Sequence, residues 1–311
     1  MADVNIALIP VVLASIYFFG ISAILVIAAC VAGAMLTEWR LTAERPRGLA
    51  LRDNSALLTG VLLGLTLPPG LPLWMAFVGG VVSISLGKTI WGGMGHNLFN
   101  PALVGRAFLQ AAFPVPLTTW VPQGTGFLDI HSSTFALPLM RGTVDGVSAA
   151  TPLAGMKFEN EVPEFLGLLS GNTSGAIGET SALLLMLCGA WLLYRRAFDW
   201  RIPFSILTTA FLLSGVLHLI WPQTSPAPWN MILSGGMLLG AIFMATDPVS
   251  SPLAPKAAWI FGAGIGILVI LIRLYGGLPE GMMYSILLMN AATPLLERSM
   301  QSRIFGRGKA A

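Results

Sequence analysis

The chain has 311 residues, of which 55% are hydrophobic and 10% charged, against about 25% charged in an ordinary soluble domain. A mean hydropathy of +0.78 excludes a water-soluble globule, a disordered chain and a nucleic-acid reader, and 17 Lys+Arg against 14 Asp+Glu leave a net charge of only +3. A helical span uses about 20 apolar residues, so the chain reads as one all-α, polytopic membrane unit.

In chain order, apolar segments and their breaks predict ten spans, over roughly 4–19, 21–39, 55–67, 72–88, 98–113, 180–194, 202–220, 230–246, 257–275 and 281–296. The first has only Asp3 ahead of it and no Lys/Arg region, so it reads as a retained span and not as a signal peptide. Several segments are short for an upright helix, which points to broken or half-length helices packed inside a bundle. The nine tryptophans fall near segment ends, where an aromatic belt belongs. Cys30 and Cys188 lie far apart in apolar stretches without a C-x-x-C, and His96, His131 and His218 lack paired helical spacing. No thiolate-held metal site and no two-ligand haem is therefore expected.

Arginines cluster after the second span (Arg40, Arg45, Arg47, Arg52), the sixth (Arg195, Arg196, Arg201) and the tenth (Arg298, Arg303, Arg307, with Lys309). The connections 68–71 and 221–229 carry no Lys or Arg, and 114–179 is acidic. Since positive charge marks the cytoplasmic side, both termini are expected inside and 114–179 outside. Four elements recur in order: 58–64 with 233–240, Thr66-Leu67-Pro68 with Thr246-Asp247-Pro248, Lys88 before Gly92-Gly93 with Arg273 before Gly276-Gly277, and Asn97-x-x-Asn100-Pro101 with Asn290-x-x-Thr293-Pro294. With span three starting inside and span eight outside, the repeat is an inverted five-plus-five. The expected organisation is a first membrane repeat over 1–113, an extracytoplasmic segment over 114–179 and a second repeat over 180–311. The pairs Gly60/Gly64 and Gly236/Gly240 read most simply as helix-packing glycines.

Three polar features stand out. Three glycines, two amides and a proline break the helix at Gly92–Pro101. Asn97 and Asn100 either cap the half-helix that begins at Pro101 or bind a polar, planar heterocycle through their donor–acceptor edges. Asp247 ends span eight and is either a cap or a stop for an ion or proton. In Asp145-Gly146-Val147-Ser148-Ala149-Ala150-Thr151-Pro152, Pro152 biases Thr151 away from helix, so its hydroxyl is expected free of one, with Ala149 and Ala150 leaving room beside it.

This last stretch resembles the pattern Asp-x-x-Ser-Gly/Ala-Ala-Thr, at which a flavin transferase esterifies FMN phosphate to threonine. The family is that of the Rnf complex D subunits and the B subunits of the sodium-translocating NADH:quinone reductases. Residues 92–108, Phe243–Ser250 and Pro279–Met283 are similar to the same family. The short chain and compact 114–179 segment are nearer the Rnf side, and Ala149 departs from a common glycine. The inverted five-plus-five repeat is itself urea-channel-like, and the family resemblance implies a bacterial inner-membrane protein that passes electrons through flavin between ferredoxin and NAD(H), coupled to Na+ or H+ movement. It implies covalent FMN on Thr151, with Asp145 and Ser148 in the transferase motif, and a non-covalent riboflavin at Asn97 and Asn100. The implied partners are the A, B, C, E and G subunits of the Rnf complex, the flavin transferase and membrane lipid, with no nucleic acid. A solute channel or transporter built on an inverted repeat is the alternative. The threonine motif, which a channel does not need, separates the two.

Overall fold

The computed structural model describes residues 1–42, 53–123, 133–138, 149–159, 161–179, 181–222 and 225–300. Among the described residues every regular element is helical. The first part of the chain gives α1 (Ala2–Phe19), α2 (Ile21–Leu41), α3 (Ser55–Leu65), α4 (Leu73–Ile84), α5 (Pro101–Ala112) and α6 (Pro114–Thr118). After it come α7 (Pro152–Ala154), α8 (Phe165–Ser170) and α9 (Ala182–Tyr194). The remainder forms α10 (Arg201–Ile220), α11 (Pro228–Leu233), α12 (Met237–Leu239), α13 (Pro255–Tyr275) and α14 (Met282–Ser299). Three helices widen into π-helical turns at their C-terminal ends: α4 over Ser85–Thr89, α7 over Gly155–Glu159 and α12 over Gly240–Met244.

Local chemistry sets the boundaries. Gly20, at φ +67°, makes the corner between α1 and α2, a conformation that glycine adopts without penalty. Prolines open α5, α6, α7, α11 and α13 at their first positions, where the missing N–H would have had no helical partner. Ser181 caps α9 by accepting from the Leu184 N–H at 3.3 Å. One helix break falls within the apolar segment 230–246: Ser234–Gly236 separate α11 from α12, and Gly235 has φ +66°.

Helices α1, α2, α10 and α13 are long and apolar enough to cross a membrane; α3, α4 with its π turn, and α9 are shorter apolar helices. The protein is a helical membrane protein. Trp39, Trp91, Trp191, Trp200, Trp221, Trp229 and Trp259 are exposed on its surface, and Trp200, Phe204 and Trp259 form an edge-to-face triangle.

Helix α2 packs against α3 and α4, α10 against α13, and α14 reaches across to α5. Close approach explains one glycine pair. A Cβ on Gly60 would lie 2.6 Å from the Cα of Val31, and one on Gly64 would lie 2.8 Å from the Cα of Ile27. These two glycines are the seam between α3 and α2, as the packing reading expects. The second pair differs: a Cβ on Gly236 would stand 3.2 Å from Glu179 Oε1, and one on Gly240 would stand 2.5 Å from Met282 Cγ. Those glycines make room for side chains and not for a neighbouring backbone, which corrects the common reading of both pairs.

Gly60→Ala is expected to lower the thermal unfolding midpoint of the purified chain by an amount equivalent to about 1–3 kcal/mol. Gly277→Ala, where no atom lies within 4 Å of the added methyl, is the reference and should melt with the unsubstituted protein. Equal melting of the two variants would refute the seam.

Candidate functional site

The segment Ile90–Phe99 leaves α4 and its π turn without forming a helix, turning through Gly92, Gly93 and Gly95 at positive φ. It ends at Asn100, which is 3% exposed. Asn100 Oδ1 accepts from the Ala102 N–H at 3.0 Å, and Nδ2 donates to the Met244 carbonyl at 3.0 Å. The cap expected for α5 is therefore real. The same amide also stitches α5 to the end of the π turn after α12. Asn97 is likewise buried, donates to the Phe99 carbonyl at 3.1 Å and is hydrogen-bonded to Asp247. The Asp247 carboxylate accepts from Ser250 Oγ at 3.0 Å, and its carbonyl accepts from the Ser251 N–H at 3.0 Å, closing the turn that follows the π segment.

Asn97 and Asn100, together with Asp247 from a distant part of the sequence, thus line one open-mouthed cavity. Its walls are mostly apolar: Leu58, Leu62, Ile242 and Phe243 offer flat contact, while Thr59 and Thr246 add hydroxyls. Apolar walls with a few convergent polar groups are the composition of a small-molecule or cofactor pocket. After its two protein bonds, each asparagine amide keeps unused donor and acceptor capacity.

Sequence reasoning missed the charges at this cavity. Lys88, in the π turn, donates to Glu38 Oε1 of α2 at 2.5 Å and to Ser55 Oγ at the start of α3 at 2.6 Å. Both ionic side chains are buried, and Lys88 and Ser55 line the cavity. The signal was a lysine inside an apolar segment, used above only as a repeat marker. Its counterpart Arg273 on α13 is also buried; it donates to the carbonyls of Met231 and Ser234 and pairs with Glu280 at 3.3 Å. Of the other repeat matches, Thr293 donates to the Ser250 carbonyl at 3.2 Å, and Asn290 is buried with no hydrogen-bond partner among the described residues.

Thr151 lies elsewhere. Its backbone is extended at φ −74°, ψ 154°, as Pro152 requires. The hydroxyl is not free, however: Thr151 Oγ1 accepts from the Ala154 N–H at 3.2 Å, and the residue is 7% exposed. The proline that keeps Thr151 out of the helix, as expected, also makes it the cap of α7, so the hydroxyl lies outside the helix and accepts one N–H from it. Thr151 borders a second, shallower cavity with Ala150, Gly155, Glu161, Glu164 and Asn172. Among the described residues no Lys or Arg lines it. Lys157 turns away, donating to the carbonyls of Gly276 at 2.5 Å and Leu278 at 3.2 Å, and burial lowers its pKa from the ordinary lysine value. Asp145 and Ser148 lie outside the described residues. The structure therefore brings Asn97, Asn100 and Asp247 together and holds Thr151 in a separate cavity.

Residues 1–306 match the model of the NQR2, RnfD, RnfE family. The chain is 39% identical to the D subunit of the ion-translocating oxidoreductase complex of Stutzerimonas stutzeri, with 99% of this chain and 91% of that protein covered. It is 40% identical to the D subunit of the Na(+)-translocating ferredoxin:NAD(+) oxidoreductase complex of Acetobacterium woodii, covering 98% and 90%. It is 37% identical to the D subunit of the proton-translocating ferredoxin:NAD(+) oxidoreductase complex of Clostridium ljungdahlii, covering 98% and 91%.

Asn100→Ala removes a helix cap, worth about 0.5–2 kcal/mol, and leaves the buried Met244 carbonyl without its donor, a further 1–3 kcal/mol or so. Asn100→Asp keeps the cap acceptor but turns a buried carboxylate oxygen towards the Met244 carbonyl. Both variants are expected to melt below the unsubstituted protein. Indistinguishable melting of all three would show that the amide does not hold the two segments together.

Proposed function

Because the chain belongs to the NQR2, RnfD, RnfE family, we propose that it is the D-type membrane component of an Rnf ion-translocating oxidoreductase complex. In this reading it carries electrons on flavin between ferredoxin and NAD(H), coupled to Na+ or H+ movement. FMN is esterified through its phosphate to Thr151 by a flavin transferase, whose motif includes Asp145 and Ser148, and a riboflavin sits non-covalently at Asn97 and Asn100. The fold is the inverted five-plus-five of ten spans, with repeats over 1–113 and 180–311. Both termini face the cytoplasm, and 114–179, with Thr151, lies on the other side of the inner membrane. The A, B, C, E and G subunits are the partners.

The observation that carries this reading is Thr151, a buried threonine in extended backbone beside a cavity, immediately followed by Pro152. Among the described residues its Oγ1 acts only as an acceptor, towards Ala154, so the hydroxyl proton can be replaced by a phosphoryl group without a donated bond being lost. Beside the cavity a phosphodiester would face Glu161 and Glu164, with no cationic partner among the described residues. Attachment there rests on the covalent bond and on N–H groups, not on ion pairing. At the other cavity the aliphatic and phenyl walls suit the faces of a tricyclic ring, and the two amides suit its polar edge. Flavin, when bound, supplies the one- and two-electron chemistry, while the chain supplies position, insulation from water and electrostatics. Lys88 brings a buried positive charge to the wall, held in place by Glu38 and Ser55. Asp247, hydrogen-bonded to Asn97, is the carboxylate through which an ion would sense events at that cavity.

In protein made together with the transferase, the peptide spanning 142–157 should carry the mass of FMN less water on Thr151, and the chain should fluoresce on a denaturing gel. Thr151→Ser should retain part of the signal and Thr151→Val none, while riboflavin extracted from Thr151→Val should persist. An unmodified peptide would remove the covalent assignment and favour the transporter reading. A Thr151→Val preparation without any flavin would remove the second site.

A further inference from the structure

Four charged side chains gather away from both cavities just described. Arg106 comes from α5, Glu179 from the stretch before α9, Arg273 from α13 and Glu280 from the turn before α14. Tyr284 on α14 also faces Arg106. The cluster lies next to the Thr151 segment: a Cβ on Gly235 would collide with both Leu153 and Glu280.

The two carboxylates are held very differently. Glu280 Oε1 accepts from the Met282 N–H at 3.0 Å, Oε2 accepts from the Gly236 N–H at 3.1 Å, and Arg273 donates to both oxygens. Such a set of donors fixes the ionised form. Glu179 accepts one long bond, from the Ala176 N–H at 3.4 Å to Oε2, and its Oε1 lies over Gly236. Arg106 is 8% exposed, yet its Nη1 has no hydrogen-bond partner among the described residues. Among the same residues no carboxylate comes within ion-pair distance of it. Arg106, Glu179 and Glu280 border a common cavity. That cavity is polar on one side and large enough to admit water.

We propose that Glu179 is a proton-exchanging group, loaded and unloaded through water in the cavity it shares with Arg106 and Glu280. The donor left over on Arg106 calls for an oxygen acceptor in that space, and a water meets it while reaching the loosely held Glu179. A metal cation does not suit the cavity, since Arg106 and Arg273 already supply two positive charges to two carboxylates. The step is a proton transfer only: water delivers H+ to the Glu179 carboxylate, giving the neutral acid, and the reverse step returns it. With Glu179 ionised the cluster is neutral; with Glu179 protonated it carries one positive charge, balanced by whatever negative charge arrives nearby. Gly236 leaves the Glu179 carboxylate room, since a Cβ there would stand 3.2 Å from its Oε1.

The test is infrared difference spectroscopy of the full chain in lipid as pH is stepped, in H2O and D2O, following the carbonyl stretch of a protonated carboxyl group. A reversible, deuterium-sensitive band is expected. It should disappear in Glu179→Gln, persist in Glu297→Gln at the distant Leu253 contact, and persist at a shifted midpoint in Glu179→Asp. Arg106→Gln removes a cation that favours the ionised form, so the midpoint should move up by about 1–3 pH units. A Glu179→Gln spectrum identical to that of the unsubstituted chain, or an unmoved midpoint in Arg106→Gln, overturns the proposal. The same band is expected in Thr151→Val, so failure of flavin attachment and failure of this site are read separately.

Discussion

The Asn100 amide joins two interrupted helices that neither sequence neighbourhood nor apolar packing would hold in register. Inside a membrane bundle a helix can break only where the freed backbone groups find partners within the protein. The α5 N-terminus and the end of the π turn after α12 both leave such groups, an N–H at Ala102 and a carbonyl at Met244, and one side chain satisfies both. The cavity beside it follows from that solution. Two broken segments cannot close-pack as two continuous helices would, and the space left between them is lined by whatever stabilises the breaks: the amides, the Asp247 turn and the hydroxyls of Thr59 and Thr246. Lys88, Glu38 and Ser55 apply the same rule to charge. Three elements converge on one ammonium, and removing Glu38 would leave that buried ammonium without its counter-ion at a cost of about 3–5 kcal/mol.

Helix α5 gives this local device a longer reach. Asn100 caps its start, and Arg106 lies six residues further on, about 9 Å along the axis at 1.5 Å per residue. The helix therefore carries a wall of the first cavity at one end and the unsatisfied guanidinium of the charge cluster at the other. The segment Leu239–Met244 meets the start of that helix at the Asn100–Met244 bond and also lines both cavities. Its π geometry matters here. Wider turns of this kind tend to occur at functional sites, and this one ends at the carbonyl that Asn100 holds. A change of contact at the Asn97–Asn100–Asp247 end and a change of charge at the Arg106–Glu179 end thus act on the same two rigid elements. That is a physical basis for coupling, which requires a shared element and not mere proximity.

Much of the helical plan was legible because apolar runs, glycine corners and prolines at first positions speak through local chemistry. The α3–α2 seam was legible through Gly60 and Gly64, and the Asn100 cap through Asn-Pro. Long-range pairing of polar atoms was not. Nothing around residue 244 announces that its carbonyl meets Asn100, and Glu179 counts as one more acid of a polar segment until folding carries its neighbours Ile177 and Gly178 onto the carbonyls of Leu67 and Leu65. Thr151 was half legible. Pro152 does keep it out of the helix, and a residue kept out of a helix by the next proline is also the one best placed to cap it, a bond the motif does not announce. The buried charges were visible as Lys88, Arg106 and Arg273 within apolar stretches. Their partners, drawn from other elements, were not.

The relatives sharpen what the scaffold leaves open. Proteins 40% and 37% identical to this chain carry names for sodium and for proton translocation, so a shared fold does not select the ion. Selection must come from a few oxygens and the charges facing them. A hard monovalent cation needs several oxygen ligands and little nearby positive charge, whereas a proton needs one poorly solvated base and a water to reach it. Near Asp247 the cavity offers amide, hydroxyl and carbonyl oxygens, but also the buried Lys88 ammonium. Around Glu179 two guanidiniums stand against two carboxylates, which favours the smaller charge carrier. Under the proposed reading the two ends differ in chemistry, one shaped for a planar ligand with a carboxylate at its edge and the other for proton exchange. Substitutions that alter ion preference should therefore act on the oxygens and charges at these two ends and leave the glycine seam and the Asn100 stitch untouched.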